Sequence, residues 1–155
     1  AVELLFRGEK LFVVANHISS KSDDDRAFGS VQPPRSPTAA RRLAQAREVR
    51  AFAESLLAAD PKARVVLLGD LNDFEHSEAV RHLSAPPFEN LILRVPAASR
   101  YTFNFEGASQ VLDHVVVSPA LAKDAEVEIL HLNSDCSDEK RTSDHDPVVA
   151  MFRPR

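Results

Sequence analysis

The apolar positions of the chain fall into short runs of two periodicities. Val2–Phe6 and residues 11–15 are strand-like runs on either side of Arg7-Gly8-Glu9-Lys10, which predicts a β-hairpin with Gly8 at the turn. Residues 20–37 are polar and charged and hold Pro33, Pro34 and Pro37, so a long loop follows. Ser36 and Pro37 then predict a helix start, with Ser as N-cap and Pro at the first helical position. The predicted helix covers residues 37–59. Leu43, Ala46, Val49, Ala53, Leu56 and Leu57 form one stripe along it, and Arg41, Arg42, Arg47 and Arg50 lie mostly off that stripe. Residues 65–68 are uninterruptedly apolar, as expected of a strand buried on both faces. Ser77 predicts the cap of a short helix reaching Leu83, stopped by Pro86-Pro87. Residues 101–105 alternate and are expected to pair with 111–118. Residues 127–131 and Val148–Phe152 predict the last strands, on either side of a polar loop over 133–146. The order strand, helix, strand and then mostly strands predicts an α/β fold: a mixed, mostly antiparallel sheet with helices on one face.

Where the apolar runs begin or end, polar residues gather into clusters: Asn16-His17-Ile18-Ser19, Gly69-Asp70-Leu71-Asn72-Asp73, Leu112-Asp113-His114 and Ser143-Asp144-His145-Asp146-Pro147. Strand ends are where α/β proteins place their chemistry, because a rigid sheet positions the groups while the loops face the ligand. Gly69 permits a sharp exit from its strand, and Asp70 and Asn72 can point to one side of an extended turn. An ionised Asp accepts hydrogen bonds and orients a water, and a neutral amide donates to a phosphate oxygen. On extended backbone Asp144 and Asp146 face one way and His145 the other, which suits a metal-binding carboxylate beside a general acid or base. Asp113 is a candidate to fix the tautomer of His145 and support its charged form. Taken alone, each cluster also reads as a solvated polar turn. Together, far apart in sequence, they predict one site that only the fold can assemble.

Length and charge narrow the picture. The 155 residues, 44% of them hydrophobic, make one domain with room for a core. No run approaches the roughly eighteen apolar residues of a membrane span. Residues 1–6 lack a basic leader and a long apolar stretch, a property that a mature secreted protein would share. The single Cys136 sits among acidic and polar neighbours and reads as a free surface thiol with no internal disulfide. A net charge of −4 excludes a protein that coats nucleic acid by bulk positive charge. Phosphates must then be met locally, by a cation and a few basic residues such as Lys21, Arg26, Arg35, Arg41 and Arg42. Otherwise these form a solvated loop and helix face. The first strand begins at residue 1, which predicts that the chain is a fragment.

In order along the chain stand Asn16-His17-x-x-Ser20, Gly69-Asp70-x-Asn72, Leu112-Asp113-His114 followed by apolar residues and Ser118, and Ser143-Asp144-His145-Asp146-Pro147-Val148. This set resembles the C-terminal half of the endonuclease/exonuclease/phosphatase superfamily. That superfamily includes pancreatic-type deoxyribonucleases, abasic-site endonucleases, inositol-phosphate 5-phosphatases and sphingomyelinases. The resemblance runs from Val2 to Phe152. The Asn16-His17-Ile18-Ser19-Ser20-Lys21 motif, the Asp-rich loop, and Arg42 with Gln45 are closest in look to bacterial extracellular nucleases.

The resemblance implies a phosphoester hydrolase, most often a nuclease, that uses a divalent metal, most often Mg2+ with Mn2+ or Ca2+ as alternatives. It implies that Asp70 orients the attacking water and Asn72 holds a non-bridging oxygen. His145 becomes the catalytic histidine with Asp113 as partner, and His17 the second histidine near the phosphate. Asp144 and Asp70 would meet the metal, and Lys21, Arg26 and Arg42 would contact phosphate or nucleic acid. It further implies secretion to the extracellular space. The family's first half carries an Asn near its start, a metal-binding Glu and another Glu that orients the equivalent of His17. None is found here, and Glu3, Glu9 and Glu54 stand in the wrong context. Residues 1–155 are therefore expected to be the C-terminal half of a four-layer sandwich, with a thin oxygen shell for magnesium. An uncovered apolar sheet face is expected to associate with itself or with the missing N-terminal half. A phosphatase or lipid phosphodiesterase of the same superfamily fits the same clusters, and so does a catalytically silent interaction domain. The intact Asp70, Asn72, Asp113 and His145 argue against the last.

Overall fold

A computed structural model describes residues 1–26, 28–137 and 139–153. In chain order the elements are β1 (Val2–Phe6), β2 (Glu9–His17), α1 (Ala39–Ala59), β3 (Arg64–Asp70), α2 (Glu78–Leu83), β4 (Glu89–Asn90), β5 (Phe103–Phe105), β6 (Ala108–Gln110), β7 (Asp113–Val117), α3 (Pro119–Ala122), β8 (Ala125–Ile129) and β9 (Val148–Phe152). Five strands form the main sheet in the order β1-β2-β3-β7-β4, and β5-β6 and β8-β9 are separate two-stranded ribbons. Among the described residues only β2 and β3 run parallel, because α1 carries the chain back between them. The fold is the expected mixed, mostly antiparallel sheet, with α1 and α2 on one face.

The apolar run of β3 alternates between two cores. Val65 and Leu67 face the helices, with Val14, Ala46, Ala53, Val80 and Leu83. Val66 and Leu68 face the other way, toward Val115, Val117 and the partly buried Val127, Val148, Ala150 and Phe152 of β8 and β9. Each fully buried Val or Leu contributes about 1.5–3 kcal/mol, so these two clusters hold the strands that carry the polar clusters at their ends. The second face is therefore covered at its centre by β8 and β9. Exposed large apolar side chains include Val2, Leu4 and Phe6 on β1 and Val149 and Met151 on β9.

Three expectations are corrected. First, α1 begins at Ala39, with Thr38 rather than Ser36 as its N-cap residue. The Asp24 carboxylate accepts from both the backbone N–H and the hydroxyl of Thr38, at 3.0 and 2.7 Å, and so supplies the cap from the preceding loop. Second, Arg42 and Arg50 lie on the buried face of α1 with Ala46 and Ala53. Arg50 donates to the carbonyls of Leu83, Ala85 and Pro86 at 3.1, 2.6 and 2.9 Å and lies over the Phe88 ring, closing the C-terminal end of α2. Third, β5 does not pair with residues 111–118. Glu106 and Gly107 both take positive φ, of 50° and 80°, and turn β5 tightly onto β6. β7 is taken instead by β3 and β4. The Ser77 cap on α2 is as expected: its side chain accepts from the Val80 amide.

Candidate active site

The registers of three adjacent strands bring polar residues into one row. His17 stands opposite Asp70, and Asp70 opposite Asp113. Residues directly opposite one another share a face. Leu68 and Val115, two positions inward from Asp70 and Asp113, belong to the β8–β9 side, so the row lies on that face at the sheet's edge. His145 reaches the row from the loop preceding β9.

Gly69 sets the turn out of β3. Its φ is +124°, and a Cβ there would stand 2.1 Å from the Asn16 carbonyl oxygen, so only glycine lets β2 and β3 approach so closely. Asn72, at φ 47°, folds the following turn back. Its backbone N–H donates to Asp70 Oδ1 at 2.7 Å, and its Nδ2 donates to Asp70 Oδ2 at 3.1 Å and to the Ile18 carbonyl at 3.0 Å. Both side-chain donors of Asn72 thus serve the turn. His17 is largely exposed, with Nε2 3.4 Å from Asp70 Oδ2.

His145 Nδ1 lies 2.6 Å from Asp113 Oδ2. A carboxylate can only accept, so the proton sits on Nδ1 and Nε2 is left to exchange a proton. The Asp113 hydrogen bond raises the His145 pKa above its ordinary value. Burial opposes this, and the charges of Asp113, Asp70 and Asp144 reinforce it. Asp70 is also raised, chiefly by burial. Its hydrogen bond from Asn72 pulls the other way, and the charge of Asp113 adds to the rise.

One ligand atom from each of Asp70, Asp113 and His145 lies within 4.8 Å of the others. Magnesium is commonly held by one or two carboxylates, with water and phosphate oxygens completing its shell. Two crowded carboxylates, one with a burial-raised pKa, are a setting that a cation relieves, so the residues fit a divalent metal. Asp144 is exposed and stands outside this trio, on the wall of the adjoining cleft. Asp146 is turned away from the cleft. Burial alone would raise its pKa, but hydrogen bonds from Ser134, His131 and Asn133 outweigh that and hold it below the usual carboxylate range.

The cleft has a volume of about 460 Å³ and is walled in part by Lys21, Arg26, Asn72, Phe74, Phe103 and Phe105, with His145 at one side. Lys21 Nζ sits 3.3 Å from the Phe74 ring centre and 3.9 Å from Asp73 Oδ1. Arg26 pairs with Glu106 and so bridges the 20–37 loop to the β5–β6 hairpin. Arg42 does not face the cleft. Its guanidinium is buried and donates to Asp73 Oδ2 and Asp24 Oδ2, each at 2.8 Å, and to the Thr38 hydroxyl. It ties the long loop and the Asp70 turn to α1. The aromatic wall was not foreseen: Phe103 and Phe105 read in sequence only as an alternating strand, because nothing local reveals that β5 overhangs His145.

The profile of the Endonuclease/Exonuclease/phosphatase family matches residues 1–141. Among solved structures, truncated TDP2 from Caenorhabditis elegans matches with a TM-score of 0.73 at 21% identity, covering 97% of this chain and 57% of that one. Sphingomyelinase C from Streptomyces griseocarneus matches at 0.63 and 23% identity, over 96% of this chain and 55% of its own. A mannosyl-6-phosphatase from Bacteroides thetaiotaomicron matches at 0.62 and 19% identity, over 94% and 53%. At these identities the likeness is one of fold. The chain spans little more than half the length of these structures, and no curated protein sequence matches it. With the family profile extending over nearly the whole chain, this protein belongs to the endonuclease/exonuclease/phosphatase family.

Proposed function

We propose that the protein hydrolyses phosphoesters at the row of His17, Asp70 and Asp113, and that its substrate is a nucleic-acid phosphodiester. The observation that carries the reading is the 2.6 Å bond between His145 and Asp113 at the edge of a cleft, beside a second carboxylate, Asp70. Water attacks phosphorus as the ester P–O bond breaks, and the departing oxygen leaves with that bond's electron pair and takes a proton from solvent. Asp70 accepts a hydrogen bond from that water and orients it. His145 Nε2 takes its proton, while Asp113 holds Nδ1–H and stabilises the imidazolium that forms. His17 hydrogen-bonds the phosphate, and Asn72 holds a non-bridging oxygen by exchanging one of its two turn contacts. A divalent metal, most often Mg2+, bound by Asp70 with Asp144 nearby, would stabilise the negative charge that builds on phosphate oxygens. Lys21 and Arg26 line the path of a phosphate chain.

Three further expectations belong to the same reading. Residues 1–155 form the C-terminal portion of a longer domain: the share of the solved structures that they span supports a portion, and the motif resemblance supports its C-terminal place. The apolar side chains of Val2, Leu4, Phe6, Val149 and Met151 then meet the N-terminal half or a second copy. The protein acts outside the cell, a reading supported only by the resemblance to extracellular nucleases and checked by finding it in the medium of the producing cells.

The test is nicking of supercoiled plasmid in Mg2+ or Mn2+, by this chain alone and with the upstream half supplied, with sphingomyelin and a sugar phosphate as competing substrates. Nicking lost in His145→Ala is the expected result. Hydrolysis of only the lipid or the sugar phosphate would replace the nuclease reading with a phosphodiesterase or phosphatase of the same family. No turnover of any of them, with both halves present, favours a silent interaction domain.

A further inference from the structure

Thr102 is fully buried between the cleft and the core, and its polar atoms bind the segments that carry the two members of the histidine pair. Its hydroxyl accepts from the backbone N–H of Leu112 at 3.1 Å and of Asp113 at 3.2 Å. A hydroxyl oxygen has two lone pairs, and these two amides match them. Its carbonyl accepts from the Asp146 N–H at 2.8 Å, on the segment of His145, and its own N–H donates to the Gln110 carbonyl at 2.8 Å. The next residue, Phe103, forms an isolated β-bridge with His145 and lays its ring 4.8 Å from the imidazole. Leu112 in turn accepts from the Leu71 N–H at 2.8 Å, inside the turn that holds Asp70 and Asn72.

Asp113 stands at the first position of β7, and His145 on a loop 32 residues later. They share no regular pairing. β7 packs on β9 through Val115, Val117 and Val148, beyond the two residues themselves. Beside the pair, the described hydrogen bonds and bridge that join the two segments run through residues 102 and 103.

We infer that Thr102 is a positioning residue, which sets the Asp113–His145 hydrogen bond by holding the Asp113 amide with its hydroxyl and the His145 segment with its carbonyl. The inference takes Asp113–His145 as the functional pair, on the reading above, but its test needs no turnover. A buried amide that loses its acceptor must find another or shift. Removing the hydroxyl alone frees the start of β7 while the carbonyl still grips residue 146.

The test is histidine side-chain and amide NMR on the whole chain, at a pH where the rings are neutral, in the wild type, Thr102→Val and Thr102→Ser. Valine keeps the branched shape and loses the hydroxyl, and serine keeps the hydroxyl. In the wild type and in Thr102→Ser, His145 should be a single Nδ1–H tautomer. In Thr102→Val it should be a mixture of both tautomers. The Leu112 and Asp113 amides should then exchange about tenfold faster, the factor that corresponds to one hydrogen bond of about 1.4 kcal/mol. His114, whose ring partners lie elsewhere, should keep its wild-type signal in every variant. A folded Thr102→Val with a single Nδ1–H tautomer at His145 overturns the inference. If Thr102→Val does not fold, Thr102→Ala is judged by the same criterion. If neither folds while Thr102→Ser does, the hydroxyl serves the fold itself and the positioning role is rejected.

Discussion

Asp113 and His145 act on each other at 2.6 Å, and the consequences can be measured at single residues. Asp113→Asn removes the charge that raises the His145 pKa, so His145 should titrate nearer its ordinary value when followed by NMR. In the active protein the same change should lower the turnover rate about 10²–10⁴-fold, the usual scale for acid–base catalysis. Stability should respond to pH through two histidines of opposite sign. His145, raised in the fold, stabilises the native state below the ordinary histidine pKa, and that contribution disappears as pH rises through its folded value. His114 is buried, and desolvation lowers its pKa, with Asp73, Asp113 and Glu75 opposing. Its ring bonds Asn90 Nδ2 and the Asp73 carbonyl, each at 3.0 Å. The unfolded chain takes up a proton there more readily than the folded one, so stability falls as pH drops below about 6.5. Denaturation midpoints measured from pH 5 to pH 8 should therefore peak near 6.5. Asp113→Asn should flatten the alkaline arm and, by removing a charge that holds the His114 pKa up, should not relieve the acid one. The Asp113–His145 contact was legible at the residue scale, because a histidine and a carboxylate that both stand where strands begin or end are natural partners. Arg42 and Thr102 were not legible. A basic residue near a helix start reads as solvent-facing, and a threonine in an alternating strand reads as any strand residue. What each does depends on partners 31 and 11 positions away.

At the scale of elements, the site is a matter of register. The apolar runs located most of the strands, and the clusters marked their ends. No local signal says that His17, Asp70 and Asp113 fall in one row, since that depends on how β2, β3 and β7 pair. The β5–β6 pairing was missed because a two-residue Glu106-Gly107 turn makes the shortest hairpin, and a local partner wins over residues 111–118. Two substitutions test the supports of the row. Gly69→Ala sets a Cβ against the Asn16 carbonyl in a backbone conformation that alanine avoids. It should destabilise by at least about 1–3 kcal/mol in chemical denaturation. Arg42→Met leaves Asp24 and Asp73 buried without their shared cation and should cost about 3–5 kcal/mol. A smaller loss, below about 1 kcal/mol, would mean that the 20–37 loop is held by other contacts.

At the scale of the whole molecule, a sheet has α1 and α2 on one face and, on the other, α3 and a β8–β9 ribbon that covers its centre and leaves apolar side chains of β1 and β9 exposed. Layer order was readable from the sequence of strand and helix patterns. The partial cover was not, because β8 and β9 are short, and only the fold shows them closing over β3 and β7. On the proposed reading of these residues as the C-terminal portion of a longer domain, adding the upstream half should raise metal-dependent hydrolysis, since Asp70 and its neighbours supply only part of a magnesium shell. On the proposed reading, Asp113–His145 drives phosphoester hydrolysis. Its most direct measurement is the rate of bis(4-nitrophenyl) phosphate hydrolysis in Mg2+, with the upstream half present, for the wild type against His145→Ala. Turnover in the wild type and a loss of about 10²-fold or more in the variant is the expected result. Equal rates in the two proteins would contradict the reading.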